Sequence, residues 1–428
     1  MQATTVIYII IGYFLLLIAV SYFTSRNANN ASFFLGNKKS PWYIVAFGMI
    51  SASLSGVTFI SVPGWVIDSN FSYMQMVLGY LIGYFVIANV LMPLYYRLNL
   101  TSIYTYLDKR FGKYSYKTGA SFFLLSRIIG AAFRLFLVAN VLQITAFDSL
   151  NIPFELTVVI TILLIWIYTF KGGIKTIIWT DSLQTLFMLI AVGVTIYLIS
   201  KDMNLNFRGL INTVSESTYS KIFFFESINH PYYFFKQFFA GAFIAIVMTG
   251  LDQDMMQKNL SCRNIKEAKK NMYWFSITLI PVNLMFMSLG VLLIVFSQQH
   301  GIAIPERSDD LFPLIATQGY LPPVVAFFFI IGLVAAAYSS ADSALTALTT
   351  SFTVDILNTK NLNEKKLKLV RKKVHILVSL VLVIVILIFN AINNESVISA
   401  IFRVAGYTYG PLLGLYSFGL LTSRKVID

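Results

Sequence analysis

A group of oxygen-bearing side chains interrupts the apolar segment GLVAAAYSSADSALTALTTSFTVDI, which begins at residue 332. Ser339, Ser340, Asp342 and Ser343 follow one another within five positions. In an α-helix, residues three or four positions apart share a face, so Ser339, Ser340 and Ser343 would form one polar stripe. Hydroxyl and carboxylate oxygens are hard ligands, which suit an alkali cation better than a transition metal. The spacing therefore predicts a cation-binding face on this helix.

A second carboxylate, Asp181, lies inside the apolar stretch GGIKTIIWTDSLQTLFMLI, where the nearest basic residue is Lys175. An isolated charge in hydrocarbon costs at least about 2.5–3.5 kcal/mol, so Asp181 needs a partner. A cation shared with the polar stripe would provide one. The alternative role is structural, since a serine or threonine in a membrane helix often bonds to the carbonyl four residues earlier. That role explains one or two hydroxyls but does not explain Asp342.

Two other apolar stretches contain residues that weaken a helix. The segment FFAGAFIAIVMTGLDQD contains Gly241 and Gly250. The segment FGMISASLSGVTFISVPGWV contains nine such residues, namely Gly48, Ser51, Ser53, Ser55, Gly56, Thr58, Ser61, Pro63 and Gly64. An unwound membrane helix exposes carbonyls that bind cations, and half-helix N-termini attract anions. We predict a break in both helices, although close helix packing explains the two glycines of the first segment equally well.

The composition is that of an integral membrane protein. The chain is 57% hydrophobic and 12% charged, with a mean hydropathy of +0.73, whereas soluble domains carry about 25% charged residues. The interrupted helices are five spans apart, which suggests two inverted repeats of five helices after one extra helix. Because stretches of about 20 apolar residues recur throughout, we predict an all-α protein with eleven transmembrane helices, at residues 4–23, 42–66, 72–96, 118–147, 154–170, 176–200, 234–255, 271–298, 322–354, 374–392 and 396–421.

The distribution of basic residues predicts the topology. Most of the 32 Lys and Arg residues lie in every second connection, including the segment from Lys258 to Lys270. The positive-inside rule then places the N-terminus outside and the C-terminus in the cytoplasm. The net charge of +13 is thus a topology signal and does not indicate nucleic-acid binding. Four basic residues remain within or at the edge of the spans, where such groups usually face a cavity or the bundle interior: Arg127, Arg134, Lys236 and Arg403.

Three segments resemble the sodium/solute symporter family, which includes sodium-coupled sugar, proline, sialic acid and iodide transporters. GGIKTIIWTDSLQ (172–184) and AAAYSSADSALTALTTSFTVDI (335–356) resemble its two signature stretches, and SASLSGVTFISVPG (51–64) resembles its unwound first core helix. The resemblance implies a LeuT-like fold, in which a ten-helix inverted-repeat core follows one N-terminal helix. Within a single domain over residues 1–428, the extra helix would occupy 4–23, the first repeat 42–200 and the second repeat 234–421.

The resemblance also implies positions for sodium. A first Na+ ion would be bound by carbonyl and hydroxyl oxygens of Ser51, Leu54, Ala336, Ser339 and Ser340. Some members have a second cation site, which here would comprise Asp181, Ser339, Asp342 and Ser343. Members with this site usually carry serine at the position of Asp342. The aspartate leaves open whether a second sodium ion or a proton binds there.

The solute contacts are implied by the sialic acid branch of the family. In that branch, three hydroxyl positions on the first core helix face the solute, and an arginine on the third core helix holds its carboxylate. The matching residues are Ser53, Ser55 and Thr58 together with Arg127 or Arg134. Each arginine has a structural alternative, which is to pair with carbonyls or a carboxylate within the bundle. The sugar branch uses amide and tyrosine groups where this chain has Ala245 and Met248, which disfavours a neutral sugar.

We therefore predict a sodium-coupled secondary active symporter of the cell membrane, which functions as a monomer in the lipid bilayer. It would import a small polar solute that carries a carboxylate, such as a sialic acid, sugar acid, monocarboxylate or amino acid, by alternating access. The alternatives are a cation-selective channel and a sodium-coupled transporter of neutral sugars or polyols. An enzyme is the least favoured class, because the three histidines lie in connections or near a helix end: His230, His300 and His375.

Overall fold

The computed structural model describes residues 3–26, 28–359, 362–392 and 397–426, and the regular elements within these ranges are all helices. The eighteen α-helices are α1 Ala3–Ser25, α2 Asn30–Leu35, α3 Trp42–Ser53, α4 Gly56–Ser69, α5 Tyr73–Val86, α6 Met92–Arg97, α7 Thr105–Arg110, α8 Lys113–Leu142, α9 Phe154–Gly172, α10 Ile174–Asp202, α11 Phe207–Ser215, α12 Phe234–Ala245, α13 Gln253–Leu260, α14 Ile265–Gln299, α15 Leu311–Thr317, α16 Pro323–Ser351, α17 Glu364–Ile392 and α18 Val397–Leu421. Single π-helical turns join α5 to α6 and extend α8, α12 and α16.

Helices occupy most of the described part of each of the eleven predicted stretches, with an interruption in 42–66 and in 234–255. Among these residues, seven continuous helices are long and apolar enough to cross a membrane: Thr4–Ser25, Tyr73–Arg97, Lys113–Leu142, Ile174–Asp202, Ile265–Gln299, Pro323–Ile356 and Glu364–Ile392. Two bent pairs, α3 with α4 and α12 with α13, raise that number to nine, and α9 contributes a shorter apolar helix. Several helices are longer than predicted. Helix α17 begins at Glu364 rather than at residue 374, because hydropathy marks the apolar part of a helix and not its polar first turns.

The two predicted breaks are present, and their geometry differs. Helices α3 and α4 are bent by 56° relative to each other, and Leu54 between them has an extended backbone with φ −90° and ψ 92°. Helices α12 and α13 are bent by 66°, and the break follows Gly250 at Leu251. The Asp252 side chain then caps α13 by accepting a hydrogen bond from the Asp254 N–H at 2.9 Å.

Gly241 does not form the break in the seventh span. It lies within the regular part of α12, and an added Cβ would come within 2.2 Å of the Met76 carbonyl oxygen on α5. The two helices approach so closely that only a hydrogen fits at this position. Close packing therefore explains Gly241, whereas the break occurs ten residues later.

Helix α16 lies at the centre of the bundle. Every residue from Phe329 to Ser351 is buried, and the helix packs against α3, α4, α8 and α10. Helix α3 lies close to α10 at Gly48, where an added Cβ would be 3.1 Å from the Asp181 Cβ. The hydroxyl-rich face of α16 is thus enclosed by protein. Because buried polar groups require partners, its hydroxyls and carboxylate must bind one another or a ligand.

Candidate functional site

Asp181 is the centre of a hydroxyl–carboxylate cluster where α3, α10 and α16 meet. It is fully buried, and its carboxylate accepts hydrogen bonds from the hydroxyls of Ser339 at 2.8 Å and Ser343 at 3.4 Å. The Ser51 hydroxyl lies 2.8 Å from the Ser339 hydroxyl and donates to the Asp181 carbonyl oxygen at 3.0 Å. Four of the residues predicted for the two cation sites are therefore in direct contact.

Ser340 differs from its neighbours because its hydroxyl has no hydrogen-bond partner within the described part of the chain, although it is buried. An unsatisfied buried hydroxyl costs about 1–3 kcal/mol. The break after Ser53 lies beside this helix, since a Cβ added at Gly56 would be 3.6 Å from the Ala337 Cα. Leu54, which lies at this break, is buried, and so is Ala336 on α16. The donor set is composed of oxygen atoms, and the unpaired Ser340 hydroxyl fits a sodium ion as its missing partner.

Asp342 lies on a neighbouring face of α16 and is not hydrogen-bonded to the cluster around Asp181. Its carboxylate accepts a hydrogen bond from the Tyr168 hydroxyl on α9 at 2.8 Å, and its second oxygen has no hydrogen-bond partner among the described residues. Ser339 and Ser343 both turn towards Asp181, whereas Asp342 turns towards α9. The observed hydrogen bond of Asp342 is thus directed to α9, and its share in a second cation site with Asp181, Ser339 and Ser343 stays a prediction.

Lys258 is a site residue that the sequence interpretation missed. It was expected in a cytoplasmic connection, but its side chain is only 1% exposed, and its ammonium lies 2.7 Å from the Asp181 carboxylate. All eight residues of α13 are buried, so this polar helix lies inside the bundle. The available signal was the spacing of Asp254 and Lys258, which are four positions apart and share a helical face.

Arg127 on α8 pairs with carboxylates of the same region. Its guanidinium contacts Asp254, and a second nitrogen lies 3.8 Å from Asp252. Asp252 also accepts a hydrogen bond from the Tyr409 hydroxyl at 2.6 Å. Both aspartates are buried. For Arg127, the structure thus contains the carboxylate pairing that the sequence left as an alternative.

Arg134 lies two turns further along α8, is half-buried and forms no ion pair with a described residue. It faces a cavity of about 140 Å³ near the break between α3 and α4. All five predicted solute contacts line this cavity: Ser53, Ser55, Thr58, Arg127 and Arg134. The cavity is also lined by the aromatic residues Trp65, Tyr73, Tyr80 and Tyr84 and by apolar residues that include Ala245 and Met248. The arrangement combines cationic, hydroxyl and aromatic groups, which suits a polar anion.

The other two basic residues predicted within or at the edge of the spans are Lys236 and Arg403. Lys236 is exposed at the start of α12, where a lysine can extend towards a membrane surface. Arg403 is part of α18, and its side chain lies outside the described part of the structure.

Comparison with known proteins identifies the family of this chain. The family model for the sodium:solute symporter family matches residues 33–426. The chain is 27% identical over 426 residues to the sodium/sialic acid symporter NanT of Aliivibrio fischeri, covering 94% of this chain and 80% of that protein. It is 26% identical over 438 residues to the sodium/sialic acid symporter SiaT of Proteus mirabilis, covering 97% of this chain and 84% of that protein.

A solved structure has the same fold. It is the substrate-bound outward-open state of a Na+-coupled sialic acid symporter, with a TM-score of 0.84 and 22% identity over 97% of this chain and 87% of that one. The similarity supports the LeuT-like helical architecture predicted from the sequence. Because the family model covers nearly the whole chain, this protein belongs to the sodium:solute symporter family and is a sodium-coupled membrane transporter of small solutes, not an enzyme.

Proposed function

We propose that the protein imports a small carboxylate-bearing solute together with sodium, and that Arg134 is the main anchor for the carboxylate. The observation that carries this proposal is that Arg134 faces the cavity without a carboxylate partner among the described residues. A partly buried guanidinium is stabilised by an anion, and its planar fork binds both oxygens of a carboxylate. Ser53, Ser55 and Thr58 would bind the polar groups of the solute.

The class of solute follows from the charge and lining of the cavity. Sialic acids, sugar acids, monocarboxylates and amino acids all present the required carboxylate. The relatives named as sodium/sialic acid symporters favour a sialic acid as the first compound to test. Ala245 and Met248 also line the cavity, and their apolar side chains offer no hydrogen bonds to a neutral sugar.

Sodium is the second transported substrate. The first ion would bind to oxygens of Ser51, Leu54, Ala336, Ser339 and Ser340, and a second cation would bind beside Asp181, Ser339 and Ser343, with Asp342 nearby. An inside-negative potential contributes about 2.3 kcal/mol per 100 mV for each charge that crosses the membrane. Inward movement of sodium can thereby drive accumulation of the solute.

The membrane arrangement in this proposal has eleven spans, with residues 42–200 and 234–421 as inverted repeats and 4–23 as the extra helix. The N-terminus is outside and the C-terminus is in the cytoplasm, according to the distribution of basic residues. The unit of transport is a monomer in the cell membrane, with no nucleic-acid partner.

The proposal is tested by uptake into proteoliposomes that contain the purified protein. We expect an inward sodium gradient to drive uptake of labelled N-acetylneuraminate or another carboxylate, while the corresponding amide or methyl ester fails to compete. Arg134→Gln should weaken competition by the carboxylate, whereas Lys236→Gln, which changes an exposed residue, should have no effect. Sodium flux without solute uptake would indicate a channel, and equal competition by neutral analogues would refute carboxylate recognition.

A further inference from the structure

Four buried side chains of alternating charge connect the solute cavity with the cation cluster. In order they are Arg127, Asp254, Lys258 and Asp181. Arg127 lines the cavity, and Asp181 binds the hydroxyls of Ser339 and Ser343. The chain of contacts therefore begins at the proposed solute site and ends at the proposed second cation site.

Asp254 is bound at one carboxylate oxygen only. One oxygen contacts the Arg127 guanidinium, while the other is buried without a hydrogen-bond partner in the described residues. That second oxygen lies 3.8 Å from the Lys258 ammonium, one helical turn away on α13. Asp254 is thus positioned to replace its ion pair with Arg127 by an ion pair with Lys258.

Lys258 lies between two carboxylates. Its ammonium is 2.7 Å from the Asp181 carboxylate and 3.8 Å from that of Asp254. Both contacts are within reach of the same side chain, so a change of side-chain torsions can shift the ammonium from one to the other. While it remains at Asp181, the ammonium occupies a position from which it repels a second cation.

We propose that Asp254 and Lys258 form a charge exchange that couples solute binding to binding of a second sodium ion. In this exchange, the solute carboxylate anchored at Arg134 also contacts Arg127, which lines the same cavity. Asp254 then loses Arg127 as its partner and attracts Lys258. Lys258 then leaves Asp181, whose carboxylate becomes available to a sodium ion beside Ser339 and Ser343. This exchange rests on the proposed function, because it requires a solute that carries a carboxylate.

The charge balance explains why the two substrates bind together. Without substrates, Arg127 pairs with Asp254 and Lys258 pairs with Asp181. With substrates, Arg127 pairs with the solute, Lys258 with Asp254, and Asp181 with sodium. Binding only the anion would leave the Asp181 carboxylate unpaired, and binding only the cation would leave Arg127 with the more distant Asp252 alone; loss of a partner is unfavourable for a buried charge. The exchange therefore opposes binding of either substrate alone at these positions.

The exchange is tested by equilibrium binding of radioactive sodium to the purified full chain. For the wild type, we expect one sodium ion without solute and a second ion with a saturating carboxylate that the uptake assay has identified. Lys258→Gln should bind the second ion without solute at sodium concentrations at which the solute-free wild type binds one ion, which corresponds to a gain in affinity of roughly 5–150-fold, the usual range for coupled sites. Lys258→Arg is the control that retains the positive charge, and Lys236→Gln is the control at an exposed position.

Each outcome decides the question. Two sodium ions bound to the solute-free wild type, or one ion with and without a bound carboxylate, would overturn the exchange. If Lys258→Gln does not fold, Asp254→Asn is the second variant, because it keeps the Lys258–Asp181 pair. Asp254→Asn should abolish the solute-dependent binding of the second sodium ion. Persistence of that binding would overturn the exchange. If no carboxylate is transported, the proposed function fails, but the solute-free comparison of wild type with Lys258→Gln still tests the role of Lys258.

Discussion

Ser340→Ala should affect the sodium-free and sodium-bound protein in opposite directions. The Ser340 hydroxyl is buried and has no hydrogen-bond partner in the described chain. Leaving such a group unsatisfied costs about 1–3 kcal/mol, so its removal should stabilise the sodium-free protein by an amount in this range, reduced by the small loss of packing. An ordinary structural serine would show the reverse, because its replacement removes a hydrogen bond.

The same substitution should weaken sodium binding. An interaction of a polar group with a charge contributes about 1.5–3 kcal/mol, and about 1.4 kcal/mol corresponds to a factor of ten in affinity. Loss of the Ser340 ligand should therefore raise the dissociation constant of the first sodium ion by roughly 10–150-fold. Solute affinity at saturating sodium should change little, because Ser340 does not line the solute cavity.

The assay is thermal unfolding of the purified protein across a sodium titration, since a ligand that binds only the folded state raises the apparent stability. Ser379→Ala is a matched control, because the Ser379 hydroxyl is also buried but donates to the His375 carbonyl oxygen at 2.9 Å. It should lower stability slightly and leave the sodium titration unchanged. A sodium-free Ser340→Ala protein that is less stable than wild type, or one with wild-type sodium affinity, would refute the assignment of Ser340 as a ligand.

Three other substitutions test separate parts of the structure. Arg127→Lys should weaken carboxylate binding about tenfold in a competition assay, because the charge remains but a charge-assisted hydrogen bond from the guanidinium is lost. Asp342→Asn should retain solute-dependent sodium binding, because an amide oxygen can still accept the hydrogen bond from Tyr168; loss of one ion would make Asp342 a ligand. Gly241→Ala should destabilise the protein by about 1–3 kcal/mol in thermal unfolding, because the added methyl group would overlap the Met76 carbonyl.

The positions of the helices followed from hydropathy, and much of the polar cluster followed from spacing on a single helix. Ser339 and Ser343 share a face by helical periodicity, and both do contact Asp181. The excess of small and hydroxyl residues around Leu54 also indicated an irregular backbone, which is present there. These features depend on local sequence, so a single chain was sufficient to predict them.

The partners of the buried charges could not be predicted in this way. Lys258 and Asp181 are far apart in sequence, and their contact depends on how α13 and α10 pack. Helix α13 is polar but buried, so its composition resembles that of a connection outside the membrane. Asp342 similarly accepts its hydrogen bond from Tyr168, which lies on another helix. Pairings of this kind are tertiary, and periodicity along one helix contains no information about them.

The two broken helices contribute complementary parts of one site. The break between α3 and α4 lies beside α16 and brings Ser53 and Ser55 to the cavity, close to the cation cluster. The break between α12 and α13 allows a short polar helix to enter the bundle, where Asp254 contacts Arg127 and Lys258 contacts Asp181. Each charge on α13 thus has its partner on a different helix, α8 or α10. Because buried charges must remain paired, a substrate that takes one partner would change the free energy of binding at the other site, and the proposed coupling follows from the ion pairs that α13 forms with α8 and α10.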